Sequence, residues 1–137
     1  MTKSSEQAIA SQQKSQTPSI IDSKELAWQI ASAAEDKKAE DIVLLDVSEV
    51  SYLADYFVLV TGFSRTQLNA IAESIEERLE KEFNLQPMRV SGKREGNWVV
   101  QDYGDVIAHI FLPEAREYYD LEAFWGHAER IEFSQLS

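Results

Sequence analysis

The chain has 137 residues, 44% of them hydrophobic, which is enough for one domain with a single packed core. It contains no cysteine, so disulfide bonds and thiolate metal sites are excluded. No stretch approaches the about 20 apolar residues that a membrane-spanning helix needs, and the N-terminus lacks the apolar segment of a secretory signal. The sequence therefore predicts a cytoplasmic protein.

The formal net charge is −11, from 24 acidic and 13 basic residues. Because residues 1–21 hold two lysines and one glutamate, residues 22–137 carry a net charge of −12. Nucleic acid phosphates repel such an acidic domain, so we expect no independent nucleic acid binding and a basic protein as partner. The alternative is that the charge only keeps a small domain soluble.

Residues 1–21 are rich in Ser, Gln, Lys and Thr and poor in large apolar side chains. Such a segment cannot offset the entropy of ordering, so we predict a disordered N-terminal tail. The folded domain is predicted to span residues 22–126, followed by a C-terminal extension at residues 127–137. The apolar pattern weakens in this extension, although Ile131 and Phe133 are suited to pack against the domain.

The first predicted helix begins after Asp22 and runs to about Lys38. Asp22 is suited to cap the helix, and Glu25 falls at the third helical position, which is the spacing of a capping box. Ile21 and Leu26 have the spacing of a hydrophobic staple across the same helix start.

Two continuous apolar runs follow, Ile42–Val47 and Tyr56–Thr61, and each predicts a strand that is covered on both faces. Ser64 and Gln67 then form the S-x-x-Q pattern of a capping box at the start of a long amphipathic helix. Asn84 is predicted to cap the C-terminus of this helix. Its predicted buried positions are Leu68, Ile71, Ala72, Ile75, Leu79 and Phe83.

Met88–Ser91 predicts a short strand, and residues 92–96 predict an exposed charged loop. Trp98–Asp102 and Asp105–Leu112 predict a hairpin joined at Tyr103-Gly104, with Gly104 in the left-handed region. The predicted register places Asp102 opposite Asp105, Val100 opposite Ile107 and Trp98 opposite His109. Because two opposed carboxylates repel each other, we expect a lysine or arginine beside them, from this chain or from a partner.

The last predicted helix starts at Pro113 and carries Tyr118, Tyr119, Leu121, Phe124 and Trp125. The predicted order is thus α-β-β-α-β-β-β-α. A strand–helix–strand passage implies a parallel pair and the hairpin an antiparallel one. The sequence therefore predicts an α/β (α+β) domain with a single mixed β-sheet of about five strands and helices packed on it.

Three kinds of chemistry find little support in the sequence. The Thr61-Gly62-Phe63-Ser64 turn before the long helix could hold a phosphate, but it matches no phosphate-loop motif, and a capped turn is the simpler interpretation. His109 is too far along its strand from Asp102 and Asp105 for the three to share one metal ion. No serine lies in a nucleophile-elbow motif. We predict no catalytic residues, no metal site and no cofactor.

Aromatic residues are concentrated near the C-terminus and alternate with acidic ones. We expect Phe124 and at least one tyrosine to lie in the core, yet so small a domain cannot bury all of these rings. Exposed aromatic residues beside carboxylates are typical of a surface that binds a basic protein. The aromatic residues in question are Trp98, Tyr103, Tyr118, Tyr119, Phe124 and Trp125.

From about Asp41 to Trp125 the chain resembles the ribosomal silencing factor family, also called the Iojap or RsfS family. The matching motifs of the second half are the more specific ones. The residues that carry the resemblance are Asp55-Tyr56-Phe57, Thr61-Gly62-x-Ser64, Gly96-x-Trp98, Asp102-Tyr103-Gly104-Asp105-Val106, His109-x-Phe111 and Arg116-x-Tyr118-Tyr119-x-Leu121-Glu122-x-x-Trp125.

This resemblance implies a fold similar to the nucleotidyltransferases but without their catalytic acids. It also implies a translational repressor that binds ribosomal protein fourteen on the large subunit and sterically blocks joining with the small subunit. The alternatives are a nucleotidyltransferase-like enzyme and a structural homodimer. Carried onto this chain, the partner-binding residues are Trp98, Val100, Asp102, Asp105, His109, Tyr118, Tyr119 and Leu121.

Overall fold

A single mixed β-sheet organises residues 21–135, the part of the chain that this computed structural model describes. The predicted tail at residues 1–21 lies outside the described residues, apart from Ile21. The helices are α1 (Ser23–Glu35), α2 (Arg65–Phe83), α3 (Pro113–Tyr119) and α4 (Leu121–Phe124). The strands are β1 (Glu40–Asp46), β2 (Tyr56–Thr61), β3 (Arg89–Ser91), β4 (Trp98–Asp102), β5 (Val106–Phe111) and β6 (Glu129–Glu132), and a 3-10 turn follows at Phe133–Gln135.

The strands lie in the order β3-β4-β5-β2-β1-β6. β2 and β5 are parallel, and every other neighbouring pair is antiparallel. This confirms the predicted single mixed sheet with helices packed on it. β6 is the additional strand, and it pairs with the outer edge of β1. Although α2 connects β2 to β3, these two strands are not neighbours, because the β4–β5 hairpin lies between them.

Helix α1 starts as predicted, since the side chain of Asp22 accepts a hydrogen bond of 2.8 Å from the amide of Glu25. The helix ends at Glu35, three residues before the predicted end, and the chain then turns through Lys38, which has a φ of 67°. Trp28, on this helix, packs against Phe133, with 6.0 Å between the ring centroids.

Helix α2 starts with a modified capping box. Ser64 Oγ accepts a hydrogen bond of 3.0 Å from the amide of Gln67, as predicted. The Gln67 side chain, however, accepts from the amide of Phe63 at 2.7 Å, one residue before the predicted donor. Asn84 adopts the left-handed conformation of a C-terminal cap, also as predicted. The predicted apolar stripe is buried except at Phe83, which is only half-buried.

Each face of the sheet has its own hydrophobic core. Helices α1 and α2 cover one face, where they pack against alternate residues of the central strands. α3, α4 and the chain after them cover part of the other face. The core on this second face contains Val43, Leu45, Val47, Ala54, Phe57, Leu59, Phe111 and Ala115, with Trp98, Ile107, Leu121, Trp125 and Ala128 packed at its margin. Within residues 21–135, no helix has the length and apolar character needed to cross a bilayer.

The hairpin register differs from the prediction by two residues. Asp102 lies opposite Ile107, Val100 opposite His109 and Trp98 opposite Phe111, so the predicted pairing of Asp102 with Asp105 is wrong. The amide of Tyr103 donates to the carbonyl of Val106, which makes Gly104 and Asp105 the two residues of the connection. Gly104 has a φ of 91° at the first of these positions, where a type II′ turn requires glycine.

The C-terminal helix is interrupted at Asp120, whose φ of 45° lies in the left-handed region. The Asp120 side chain then accepts a hydrogen bond from the amide of Ala123 and starts α4. Because of this break, Phe124 points away from the core and is 74% exposed, so its predicted burial is wrong. The expectation that one tyrosine is buried is confirmed by Tyr103.

Candidate functional site

The candidate site is the second face of the sheet, opposite α1 and α2. Val99 and Gln101 of β4 point to the helices, and Gln101 Nε2 donates to the carbonyl of Ala72 in α2 at 3.0 Å. The alternate residues therefore point to the opposite side, because successive side chains of a strand alternate between faces. The cross-strand pairs on this second face are Trp98 with Phe111, Val100 with His109 and Asp102 with Ile107.

Trp98 and His109 are joined by a hydrogen bond on this face. Trp98 Nε1 donates to His109 Nδ1 at 3.1 Å. His109 is buried, and burial lowers the pKa of its imidazole from 6.5 to about 4. The imidazole is therefore neutral at pH 7, and its unprotonated Nδ1 is available to accept the indole N–H. His109 thus positions the Trp98 ring and is not accessible to solvent as a base.

The rings on this face form one continuous aromatic cluster. Trp98 stacks on Phe111 with 5.2 Å between the ring centroids, and the Tyr119 ring lies 4.6 Å from that of Trp98. Tyr118 contacts Tyr119 edge-on at 5.0 Å and is itself 80% exposed. In the other direction, Phe57 contacts both His109 and Trp125. The cluster consists of Tyr118, Tyr119, Trp98, Phe111, His109, Phe57, Trp125 and Phe124.

Arg116 fixes α3 and α4 to the sheet. Its Nε and Nη2 donate to the two carboxylate oxygens of Glu122 at 3.2 and 2.9 Å. Its Nη1 donates to the carbonyl of Asp41 and to Thr61 Oγ1 at 2.6 and 2.9 Å. These hydrogen bonds, with the nearby charge of Arg130, hold the pKa of the Glu122 carboxyl below its usual value. Tyr118 and Tyr119 are thereby held beside β4.

One carboxylate oxygen of Asp102 is hydrogen-bonded within the chain. Its Oδ1 accepts a hydrogen bond of 2.8 Å from the amide of Gly104, and Arg89 lies opposite it on β3. Asp102 therefore has a cationic neighbour, where the sequence predicted an opposed carboxylate. Asp105 lies in the turn, outside the β4–β5 ladder, and its side chain is exposed. The pair Asp102 and Asp105 consequently gives no evidence of its own for a basic partner.

The predicted site residues fall into three groups by accessibility. Tyr118, Tyr119 and Asp105 are exposed and free to contact a partner. His109 is buried and Leu121 packs into the second core, so both support the surface from below. The remaining three, which are half-buried along β4, are Trp98, Val100 and Asp102.

Sequence reasoning missed several apolar residues that border this face. Ile107 is half-buried opposite Asp102, and Met88 is 73% exposed beside the hairpin turn. Tyr52 and Leu53 are exposed in the β1–β2 connection, which the Asp55 amide joins to the carbonyl of Asp105 at 2.7 Å. The sequence signal for Tyr52 and Leu53 was their position in a predicted connection, where large apolar side chains are seldom buried.

The turn before α2 is not arranged to hold a phosphate. The hydroxyl of Ser64 and the amide of Phe63 both bond to Gln67. A cavity of about 290 Å³ lies nearby, and its lining includes Arg116 and four carboxylates. Arg116 is paired with Glu122, and the remaining carboxylates, those of Asp41, Glu117 and Asp120, would repel a phosphate. Within residues 21–135, no group of three or more His, Asp or Glu side chains is arranged to bind a metal ion.

Known proteins similar to this chain were found by both sequence and structure. A sequence model of the family described as "Ribosomal silencing factor during starvation" matches residues 20–137. The ribosomal silencing factor RsfS of Bacillus subtilis is 43% identical over 98 residues, which cover 72% of this chain and 82% of that protein. The chloroplastic protein Iojap of Zea mays is 38% identical over 106 residues, covering 77% of this chain and 46% of that protein.

A crystal structure of a protein from Chromobacterium violaceum is also similar to this fold. It superposes with a TM-score of 0.74 at 38% sequence identity, and the match covers 77% of this chain and 88% of that one.

Proposed function

Because this chain belongs to the ribosomal silencing factor family, we propose that it associates with the ribosome and represses translation. Its site of action is the large subunit, where it binds ribosomal protein fourteen at the face that the small subunit would occupy. Occupying that face blocks subunit joining by steric exclusion. The description of the family links ribosomal silencing to starvation, and we propose that the chain acts when nutrients are short.

The observation that supports this function best is the partly uncovered second face of the sheet. β3 and the turn ends of β4 and β5 carry no helix on this side, so Val100 and Ile107 remain half-buried rather than buried. Tyr118 and Tyr119 stand beside them, held by the aromatic cluster and by Arg116. A partly apolar surface with rigid aromatic side chains at its margin is suited to bind another protein.

The charge of the domain supports a basic partner. Residues 22–137 carry a net charge of −12, which attracts a basic protein over a distance of several ångströms and accelerates the encounter. This steering depends on exposed carboxylates such as Asp105, since they are in contact with solvent and accessible to the partner.

The mechanism proposed is binding without catalysis. His109, the one histidine on the proposed binding face, is buried and holds the indole of Trp98. Arg116 is engaged by Glu122, Asp41 and Thr61. These polar groups therefore serve the shape of the surface, and the function is to occupy space on the large subunit.

Sedimentation of purified subunits tests the proposal. Added protein is expected to co-sediment with large subunits and to reduce the fraction of joined ribosomes in a sucrose gradient. Two charge-reversed variants locate the surface: Asp105→Lys on the binding face and Glu77→Lys on the exposed side of α2. They change the net charge equally, and we expect Asp105→Lys to slow association several-fold more than Glu77→Lys.

Two results would contradict the proposal. If subunits join normally when the large subunit is saturated with the protein, steric exclusion is wrong. If binding persists but both variants slow association equally, only the total charge of the domain matters, and the proposed location of the face is wrong.

A further inference from the structure

Five basic side chains surround the first turn of α2, in a domain whose overall charge is strongly negative. They come from three separate segments: the α1–β1 connection, the start of α2 and the β3–β4 loop. All five are exposed. We refer to Lys37, Lys38, Arg65, Lys93 and Arg94 as the basic corner.

Gln67 brings the first of these segments to α2. Its Nε2 donates to the carbonyl of Lys37 at 3.0 Å and to that of Lys38 at 3.2 Å. The amide of Gln67 donates to Ser64 Oγ, and this hydrogen bond fixes the position of the backbone from which the Gln67 side chain extends. The α1–β1 connection is thereby held against the first turn of α2, with both lysine side chains in solvent.

Arg65 brings the β3–β4 loop to the same turn. Its Nη2 donates to the carbonyl of Arg94 at 2.9 Å. Gly96 has a φ of 78°, and a Cβ at this position would overlap the Arg65 guanidinium. Glycine thus provides the space in which Arg65 crosses the loop, and the loop is held close to α2 although its residues are charged.

Within residues 21–135, no salt bridge neutralises a charge of the basic corner. Among the described residues, the arginines in salt bridges are Arg78, Arg116 and Arg130, and all three lie elsewhere. The acidic residues next to the corner in sequence are Glu35, Asp36, Glu40, Asp41 and Glu95, as many as the bases, but Asp36 is already paired with Arg78. Because charges are screened beyond about 8 Å at physiological ionic strength, a ligand at the corner responds to these local charges and not to the net charge of the whole domain.

We propose that the basic corner contacts the phosphate backbone of ribosomal RNA when the protein is bound to the large subunit. This inference rests on the proposed function. A basic ribosomal protein would be repelled by the corner and attracted by the acidic remainder of the domain, so on such a particle the matching surface is RNA. Exposed arginines and lysines on separate segments suit a backbone of repeated phosphates.

The position of the corner makes simultaneous contacts possible. The loop that carries Lys93 and Arg94 leads directly into Trp98 of the binding face, and the carbonyl of Asn97 accepts a hydrogen bond from the amide of Leu112 at 2.9 Å. A protein docked through the binding face therefore presents the corner to a neighbouring part of the same particle. Free RNA binds weakly, because the whole domain repels it, and the contact becomes effective only after docking.

A matched pair of double variants tests the inference. Lys93→Gln/Arg94→Gln removes two charges from the corner, whereas Lys24→Gln/Lys81→Gln removes two exposed charges elsewhere. The affinity of the full chain for intact large subunits is measured at salt concentrations from about 50 to about 200 mM, over which phosphate contacts lose most of their strength. The corner variant is expected to lower the slope of log affinity against log salt by about 2, and the control to leave it unchanged.

Hydroxyl-radical footprinting of the ribosomal RNA identifies the partner. Wild-type protein and the control are expected to protect RNA backbone that the corner variant leaves exposed. An unchanged salt slope in the corner variant would overturn the inference. So would a changed slope with an unchanged footprint, because the corner would then contact a protein. If wild-type protein does not bind large subunits, both the proposed function and this inference are wrong. If wild-type protein binds but the corner variant shows an unchanged salt slope or footprint, only this inference is wrong.

Discussion

Replacing Trp98 with phenylalanine separates the hydrogen bond of this residue from its aromatic packing. Phenylalanine keeps a ring against Phe111 and Tyr119, which lie 5.2 and 4.6 Å from the Trp98 centroid. It removes the indole N–H, and with it the 3.1 Å hydrogen bond to His109 Nδ1. Since His109 is buried, its acceptor then has no water molecule to replace the lost donor.

The expected destabilisation follows from these two losses. Leaving a buried acceptor without a donor costs about 1–3 kcal/mol. The smaller ring also buries less apolar area, which adds about 1 kcal/mol. We therefore expect Trp98→Phe to lower the free energy of unfolding by about 3 kcal/mol. For a domain of this size, that corresponds to a fall of about 10 °C in the melting temperature.

Urea denaturation followed by far-ultraviolet circular dichroism measures this change without relying on the tryptophan that is replaced. The double variant Trp98→Phe/His109→Leu is the control, because it removes both partners of the hydrogen bond. We expect its loss in free energy of unfolding to be smaller than the summed losses of the two single variants by about 1 kcal/mol or more. Additive effects, or a loss of less than about 0.5 kcal/mol in Trp98→Phe, would show that the hydrogen bond does not stabilise the face.

Two further predictions concern the groups that support the proposed binding face. Folding lowers the pKa of His109 from 6.5 to about 4, because the imidazole becomes buried. Between these pH values the unfolded chain binds a proton at His109 and the folded chain does not, so the free energy of unfolding decreases as pH falls from 6.5 towards 4. Between pH 7 and 5 this loss is about 2 kcal/mol; urea denaturation should show it in wild type and not in His109→Leu, and equal losses in both proteins would contradict it. Arg116→Lys keeps the charge but cannot bond Glu122, Asp41 and Thr61 together, and we expect a loss of about 2 kcal/mol in the same assay. Glu117→Gln, an exposed neutralisation on α3, is its control, and equal stability of the two variants would refute the role of Arg116.

The fold was predictable where the hydrophobic pattern is strong, as in α2, β1 and β2. The hairpin shows how a local error can leave a useful result intact. Moving the turn by one residue, from Tyr103-Gly104 to Gly104-Asp105, shifts every pairing by two. Because side chains alternate with a period of two, Trp98, Val100 and His109 still share a face, although each has a different partner. The prediction that these residues share a face was therefore correct, whereas the predicted pairing of Asp102 with Asp105 was wrong.

Other features depended on contacts that a sequence pattern does not contain. β6 has two glutamates and an arginine among its four residues, and it is a strand because the free edge of β1 accepts it. The exposure of Phe124 depends on the left-handed conformation of Asp120, which splits the predicted helix in two. In the sequence the basic corner is only a set of scattered lysines and arginines. The hydrogen bonds that bring them together, from Gln67 to Lys37 and Lys38 and from Arg65 to Arg94, join residues that are 29 or 30 positions apart.

The aromatic cluster connects the stability of the domain to the shape of the proposed binding face. Tyr119 rests on Trp98, and the orientation of Trp98 is fixed by the hydrogen bond to buried His109. A rigid surface binds more tightly than a mobile one, because fewer side chains are ordered when the partner arrives. We therefore expect substitutions at Trp98 to weaken the proposed binding partly through mobility of Tyr119, even in molecules that remain folded. Tyr118 is 80% exposed and meets the cluster through its T-shaped contact with Tyr119, so we expect its replacement to reduce the proposed binding more than the stability of the domain.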